Sequence, residues 1–234
     1  DYKDFYACLE NGMQMITAVR KTDKVKVESF VEGVQSYVQN LYKIDFYYRK
    51  YIAHYRNAKQ NKVLQPLTEK VEKVYCNDWL LNHGNKWQKV IDTTEKWFSQ
   101  HKIAQQRFFT DHIKPFITKG QRLFIIISDG LRYECGWEYL QKIQTEKRFE
   151  GELEYMVSSL PSYTQLGMAA LLPNTNMTFQ TDSENILING NATQGVQGRT
   201  KILEQMAGTR ATAINAEDFM KMNSATDGRE FVKQ

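Results

Sequence analysis

The stretch that most constrains this chain is Leu123-Phe124-Ile125-Ile126-Ile127, closed by Ser128 and Asp129. Five apolar residues in a row fit neither a half-exposed strand nor an amphipathic helix. They suit a strand covered on both faces, as in a parallel sheet packed under helices. Ligands in open α/β sheets collect at the carboxyl ends of the strands, and Asp129 stands at such an end. Roughly thirty residues on, Ser158-Ser159-Leu160-Pro161-Ser162-Tyr163-Thr164 runs into Gln165-Leu166-Gly167-Met168-Ala169-Ala170-Leu171-Leu172-Pro173. This pattern predicts a strand end, a turn at Pro161 and a short helix closed by Pro173. Thr164 stands at the helix start, where a hydroxyl caps backbone N–H groups or faces an anion.

Each feature alone has a plainer reading. An Asp at a strand end is more often a helix cap than a metal ligand, and a Ser or Thr ahead of a helix is usually only a cap. Together they say more. A carboxylate and a hydroxyl one βαβ unit apart can converge on one crevice, and a carboxylate there can hold a hard or borderline cation.

Residues 1–118 follow a different pattern. Tyr37, Leu41, Ile44, Tyr48, Tyr51, Ile52 and Tyr55 recur at helix spacing, as do Leu64, Leu67, Val71, Val74 and Tyr75. Trp79, Trp87, Trp97, Phe98, Phe108, Phe109 and Phe116 add large apolar surface. We expect four to six antiparallel helices in a bundle, with Gly84 and Pro115 as breaks. The segment Tyr47-Tyr48-Arg49-Lys50-Tyr51-Ile52-Ala53-His54-Tyr55-Arg56 interleaves rings and cations. It would serve a nucleic-acid face only if several rings were exposed; otherwise they are core. His54, His83, His101 and His112 have no metal-motif spacing and read as surface or packing residues. Thr118-Lys119-Gly120-Gln121 marks the boundary to a second region, 119–234. There strands are expected at 122–128, 152–157 and 212–215, and helices at about 131–145, 164–172, 199–206 and 217–222. Between them, 173–200 reads as a long polar loop with a strand-like piece at Ile186-Leu187-Ile188.

Charge divides along the same boundary. Residues 1–120 hold 20 Lys and Arg against 13 Asp and Glu, and the remainder holds 11 against 14. The basic first half suits solvated helix faces, or an acidic partner or nucleic acid. Cys8, Cys76 and Cys135 are widely spaced and odd in number, which leaves no disulfide framework and no Cys-x-x-Cys site. A reduced, cytoplasmic protein is expected, and no apolar run reaches bilayer-spanning length. The chain starts at Asp1 and stops at Gln234 without a stop-like tail, so a piece of a longer protein is expected.

Ile127-Ser128-Asp129-Gly130-Leu131-Arg132-Tyr133-Glu134, followed by Leu160-Pro161-Ser162-Tyr163-Thr164-Gln165-Leu166-Gly167 and on to Pro173, resembles the PglZ family. That family lies in the alkaline phosphatase superfamily, and the likeness is to its type A members from BREX phage-defence systems. Two long motifs in the right order make the resemblance specific over about 120–234. It implies a helical bundle followed by an incomplete alkaline-phosphatase-like α/β domain with a mostly parallel sheet. It implies Asp129 as a metal ligand and Thr164, in Pro-x-x-Thr, as nucleophile and metal ligand. The implied cofactor is a divalent ion, zinc or similar. Ser162 and Ser159 are rival hydroxyls. Ser162 is also a candidate phosphate contact or helix cap. Arg132 would reach a phosphate, pair with Glu134 or pin the loop.

Two departures from the family pattern matter. Gly167 stands where some related phosphodiesterases have an Asn, and no His follows His112 to complete a metal centre. Asp182, Asp218 and Asp227 are not in Asp-x-x-x-His or Asp-His pairs. The expectation is therefore the first part of a phosphohydrolase acting on an unidentified phosphoester, itself inert. The alternative is a non-catalytic scaffold whose bundle docks BREX partners or nucleic acid.

Overall fold

The computed structural model describes residues 2–22, 25, 27–59, 61–94, 104–181, 183–206 and 211–233, and the backbone of 207. In chain order its helices are α1 (Lys3–Lys21), α2 (Phe30–Ser36), α3 (Tyr42–Asn57), α4 (Asn61–Lys73), α5 (Asn82–Asp92), α6 (Lys114–Thr118), α7 (Tyr133–Gln144) and α8 (Thr164–Ala170). Strands β1 (Met177–Phe179), β2 (Ile186–Ile188) and β3 (Asn191–Ala192) follow, then α9 (Gly195–Ala207), α10 (Ala216–Lys221) and α11 (Asp227–Lys233). Wide π-helical turns at Tyr37–Leu41 and Val74–Leu81 run α2 into α3 and α4 into α5. Two compact units result, each built from two stretches of chain. One is Asp1–Glu95 with Gly130–Glu154, and the other is Lys96–Asp129 with Tyr155–Gln234.

The first unit is helical, as its periodicity predicts. Helix α1 buries Cys8, Gly12, Met15 and Val19, a single stripe at alternating steps of four and three. That stripe packs with Ile44 and Tyr51 of α3 and with Leu64 and Val71 of α4. Gly12 makes the close approach possible: a Cβ there would lie 3.3 Å from the Tyr51 ring and from Val71 Cγ2. Gly84, expected as a break, lies inside α5, where helical backbone runs on from the π-helical stretch before it. Ser29 caps α2, its hydroxyl accepting from the Glu32 N–H at 3.3 Å.

Helix α7 belongs to this unit and is held there by charge. Arg49 Nη2 meets Glu134 Oε2 at 2.6 Å and Glu138 Oε2 at 2.7 Å, and Lys50 Nζ meets Glu138 Oε1 at 3.0 Å. Burial opposes ionisation of Glu138, but the hydrogen bonds from Arg49 and Lys50 outweigh it and hold its pKa below the ordinary carboxyl value. The polar centre of the unit is Asp45. It accepts from Tyr37 Oη at 2.6 Å, Tyr75 Oη at 2.9 Å and Trp79 Nε1 at 3.0 Å.

The second unit joins short helices to a three-stranded sheet in the order β1-β2-β3, antiparallel throughout. Met177 pairs with Ile188 and Phe179 with Ile186; on the other edge Leu187 pairs with Ala192. The strand at 186–188 is therefore present, but 173–192 is a meander rather than a plain loop. Leu166, Ala169 and Leu172 pack with Ile186, Ile188 and Ile202 in one small core.

The architecture is thus mixed α/β, and the expected mostly parallel sheet is not seen among the described residues, whose sheet is this antiparallel meander. Residues 122–128 form no strand, and Ile126 is 94% exposed. A strand apolar on both faces needs a hydrogen-bonded neighbour and a covering helix, and this run has no ladder among the described residues. Of 152–157 only Val157 pairs, in an isolated parallel bridge to Ala104. Nor does 212–215 pair: the Ala213 N–H goes to the Thr200 hydroxyl at 3.2 Å.

Candidate active site

Asp129 ends the apolar run, and Gly130, with φ of 68°, supplies the left-handed turn after it. Thr164 opens α8. The aim of that helix is set by its apolar side, where Leu166 and Ala169 lie buried against β2 and α9. Its first residue stays at the surface. There the Thr164 hydroxyl donates to Asp129 Oδ2 at 3.2 Å. The chain folds so that two residues 35 positions apart meet through their side-chain oxygens, both exposed to solvent.

The segment leading to Thr164 is held from an unforeseen position. Gln105, in the 3₁₀ turn Gln105–Arg107, gives its backbone N–H to the Val157 carbonyl at 3.0 Å. Its side-chain Oε1 accepts from the Ser159 N–H at 3.3 Å, and its Nε2 donates to the Gly167 carbonyl at 3.3 Å. Nothing in Gln105-Gln106-Arg107 signals contacts 54 and 62 residues away. The stretch reads as one more helical piece.

The other expected residues are placed differently. Ser162 is exposed and does not cap α8, whose N-cap is Tyr163 with no side-chain capping bond. Arg132 is the exposed N-cap of α7, in the first unit, close enough to Tyr75 to oppose the upward shift of that phenol's pKa. Its suggested partner Glu134 is engaged by Arg49 instead. Gly167 lies under the Gln105 amide, 3.7 Å from Nε2 to the position a Cβ would take.

Oxygen donors such as Asp129 and Thr164 suit a divalent cation, but two do not make the three or four protein ligands that zinc usually takes. Among the described residues no three His, Cys, Asp or Glu groups converge on a metal position. His54 Nδ1 bonds Asp4 Oδ1 at 2.8 Å. His83 stacks on Trp79 at 4.5 Å, its pKa pushed down by burial and then by Lys86. His112 stacks on Phe108. His101, Asp182, Trp97 and Phe98 lie outside the described residues.

The tyrosine-rich basic segment does not offer a stacking surface. None of Tyr47, Tyr48, Tyr51 and Tyr55 is exposed. Tyr48 stacks face to face on Tyr75 at 3.6 Å, and its pKa is pushed up to about 12 by burial and by its bonds to Glu72. Arg49 and Lys50 are engaged with Glu134 and Glu138. No helix among the described residues is long and apolar enough to cross a membrane.

Comparison with known proteins bears on the same region. Residues 108–234 match the BREX system PglZ alkaline phosphatase-like domain. The chain is 33% identical over 207 residues to the alkaline phosphatase-like protein BrxZ of Escherichia coli O9:H4 (strain HS), covering 85% of this chain and 24% of that protein. It is 28% identical over 225 residues to the alkaline phosphatase-like protein PglZ of Bacillus cereus (strain H3081.97), covering 95% of this chain and 26% of that one. The chain thus spans about a quarter of the length of these relatives. No solved structure gives a significant match. The matched domain contains both Asp129 and Thr164, and the chain belongs to the PglZ family of alkaline phosphatase-like proteins.

Proposed function

We propose that this chain is part of a metal-dependent phosphohydrolase of a BREX system, with Thr164 as its nucleophile and Asp129 as its partner carboxylate. The observation that carries the reading is the 3.2 Å hydrogen bond from Thr164 Oγ1 to Asp129 Oδ2. A carboxylate within hydrogen-bond reach fixes the rotamer of the hydroxyl and lies on the path its proton takes. In this reading Thr164 Oγ1 attacks phosphorus, forming the Oγ1–P bond as the bond to the leaving alcohol breaks. The threonine proton passes towards Asp129, and the alcohol is protonated from water. Water then hydrolyses the phosphothreonine.

A divalent ion, zinc in our reading, would supply charge neutralisation on the transferring oxygens. Asp129 and Thr164 would furnish two of its donors. Ser162 is a proposed phosphate contact. Companion BREX proteins are the proposed partners of the basic helical region.

The test is hydrolysis of aryl phosphate and bis-aryl phosphate with added zinc or manganese. It compares residues 1–234 with the longer protein, and uses Thr164→Ala and Asp129→Ala in the latter. The expected result is metal-dependent turnover by the longer protein, loss in both variants, and none by 1–234 alone. Each tenfold loss corresponds to about 1.4 kcal/mol of barrier. Full activity in Thr164→Ala would remove Thr164 as nucleophile. An inert longer protein that still binds companion BREX proteins would favour a scaffold.

A further inference from the structure

The geometry points to Gln105 as a positioning residue for Thr164, an inference that rests on the reading of Thr164 as the reacting hydroxyl. One residue binds the segment around Thr164 at three places. Its backbone N–H holds Val157, its Oε1 holds the Ser159 N–H, and its Nε2 holds the Gly167 carbonyl. The first two contacts lie before Thr164 in the chain and the third lies after it, on the first turn of α8. The amide orientation is fixed by chemistry, since Ser159 offers a backbone donor and Gly167 a backbone acceptor.

Without this clamp, the loop from Val157 to Tyr163 would have few long-range ties. The α8 core contacts begin at Leu166. Tyr163, at the loop's end, packs on the edge of that core and bonds the Glu184 carbonyl through its hydroxyl at 3.4 Å, which leaves Ser158 to Ser162 to the Gln105 amide. The Gln105 amide therefore fixes the start of α8 relative to the loop, and so the position of the Thr164 oxygen. A Cβ at 167 would stand 3.7 Å from the amide nitrogen, in ordinary contact, so the amide packs directly on this turn of α8.

Two measurements test the proposal. The first is hydrogen exchange on the whole 234-residue chain, read on peptides covering 157–167. Gln105→Ala is expected to raise exchange there and leave α1 to α5 unchanged, while Gln106→Ala, whose side chain makes none of these contacts, is expected to leave it as it is. The second is kinetics in the longer protein. Gln105→Ala should lower kcat about 10- to 100-fold with little change in KM, the signature of a misplaced nucleophile.

Gln105→Glu keeps the acceptor for Ser159 but loses the donor to Gly167. Its activity relative to wild type should therefore rise as pH falls towards the carboxyl pKa of about 4.3, where the protonated acid can donate again. A loss of fold alone would not produce that profile.

Unchanged exchange at 157–167 in Gln105→Ala would overturn the proposal. So would unchanged kcat in a protein that Thr164→Ala inactivates. If Thr164→Ala leaves activity intact, the nucleophile reading fails on its own account, and raised exchange in Gln105→Ala would still establish the clamp.

Discussion

The two units of this molecule hold their key carboxylates in opposite ways. In the helical unit they are at least half-buried and multiply bonded. Asp45 takes three donors, and Glu134, 2% exposed, takes Arg49 through both Nε and Nη2. In the other unit Asp129 and Thr164 meet through one 3.2 Å hydrogen bond at the surface. The difference teaches where stability and chemistry reside. A half-buried carboxylate with three donors is a structural element whose loss leaves those donors stranded. An exposed carboxylate holding one hydroxyl contributes little to folding and stays open to a substrate.

The largest effect expected is at Asp45. Asp45→Ala strands two phenols and an indole N–H, and should destabilise the chain by about 3–5 kcal/mol in urea unfolding. Asp129→Ala should move it by less than about 0.5 kcal/mol, as an exposed substitution does. Similar losses at both positions would break the comparison. Arg49→Ala comes next, leaving Glu134 buried without its cation. Breaking a buried pair costs about 3–5 kcal/mol, and the partial exposure of the Arg49 side chain, 37%, screens this to about 2–4 kcal/mol. Arg49→Ala combined with Glu134→Gln should recover part of the loss, because the double change removes the stranded charge.

The smallest effect is on pH dependence. His83 and Glu138 both have folded pKa values below their ordinary ones of 6.5 and 4.5. The unfolded chain therefore binds protons first, so their contributions are complete above those ordinary values and are lost as pH falls through the folded ones. The urea midpoint should decline first below about pH 6.5 and again below about pH 4.5. His83→Gln should flatten the first decline and Glu138→Gln the second. A midpoint that rises on acidification would contradict both assignments.

How much of this was legible depended on whether a pattern finds its partners nearby. The α1 stripe of Cys8, Gly12, Met15 and Val19 packs on helices within the next sixty-odd residues, so helical periodicity carries the reading. Leu123 to Ile127 has the composition of a doubly covered strand, yet it has no ladder among the described residues. Composition describes the environment a segment suits and not the chain that provides it. Thr164 does open α8, as its motif suggests, but the strand expected before Asp129 does not form, so the two residues meet without the strand-end geometry from which their meeting is expected. Gln105 could not be anticipated, because side-chain bonds to backbone groups leave no mark on the sequence. The tyrosines of 47–55 were ambiguous for a related reason. A ring at helix spacing fits a core or a stacking face equally, and it is the packing of Tyr47, Tyr48, Tyr51 and Tyr55 into the helical core that decides between them.

The most direct test of the central claim is chemical trapping at Thr164. The longer protein would be mixed with aryl phosphate and zinc, quenched in acid and digested, and the peptide containing residues 163–173 examined by mass spectrometry. The account predicts a phosphate ester on Thr164 in the wild type, none in Thr164→Ala and a strongly reduced amount in Asp129→Ala. Steady turnover with the trapped phosphate on Ser162 or Ser159 and none on Thr164 would contradict it.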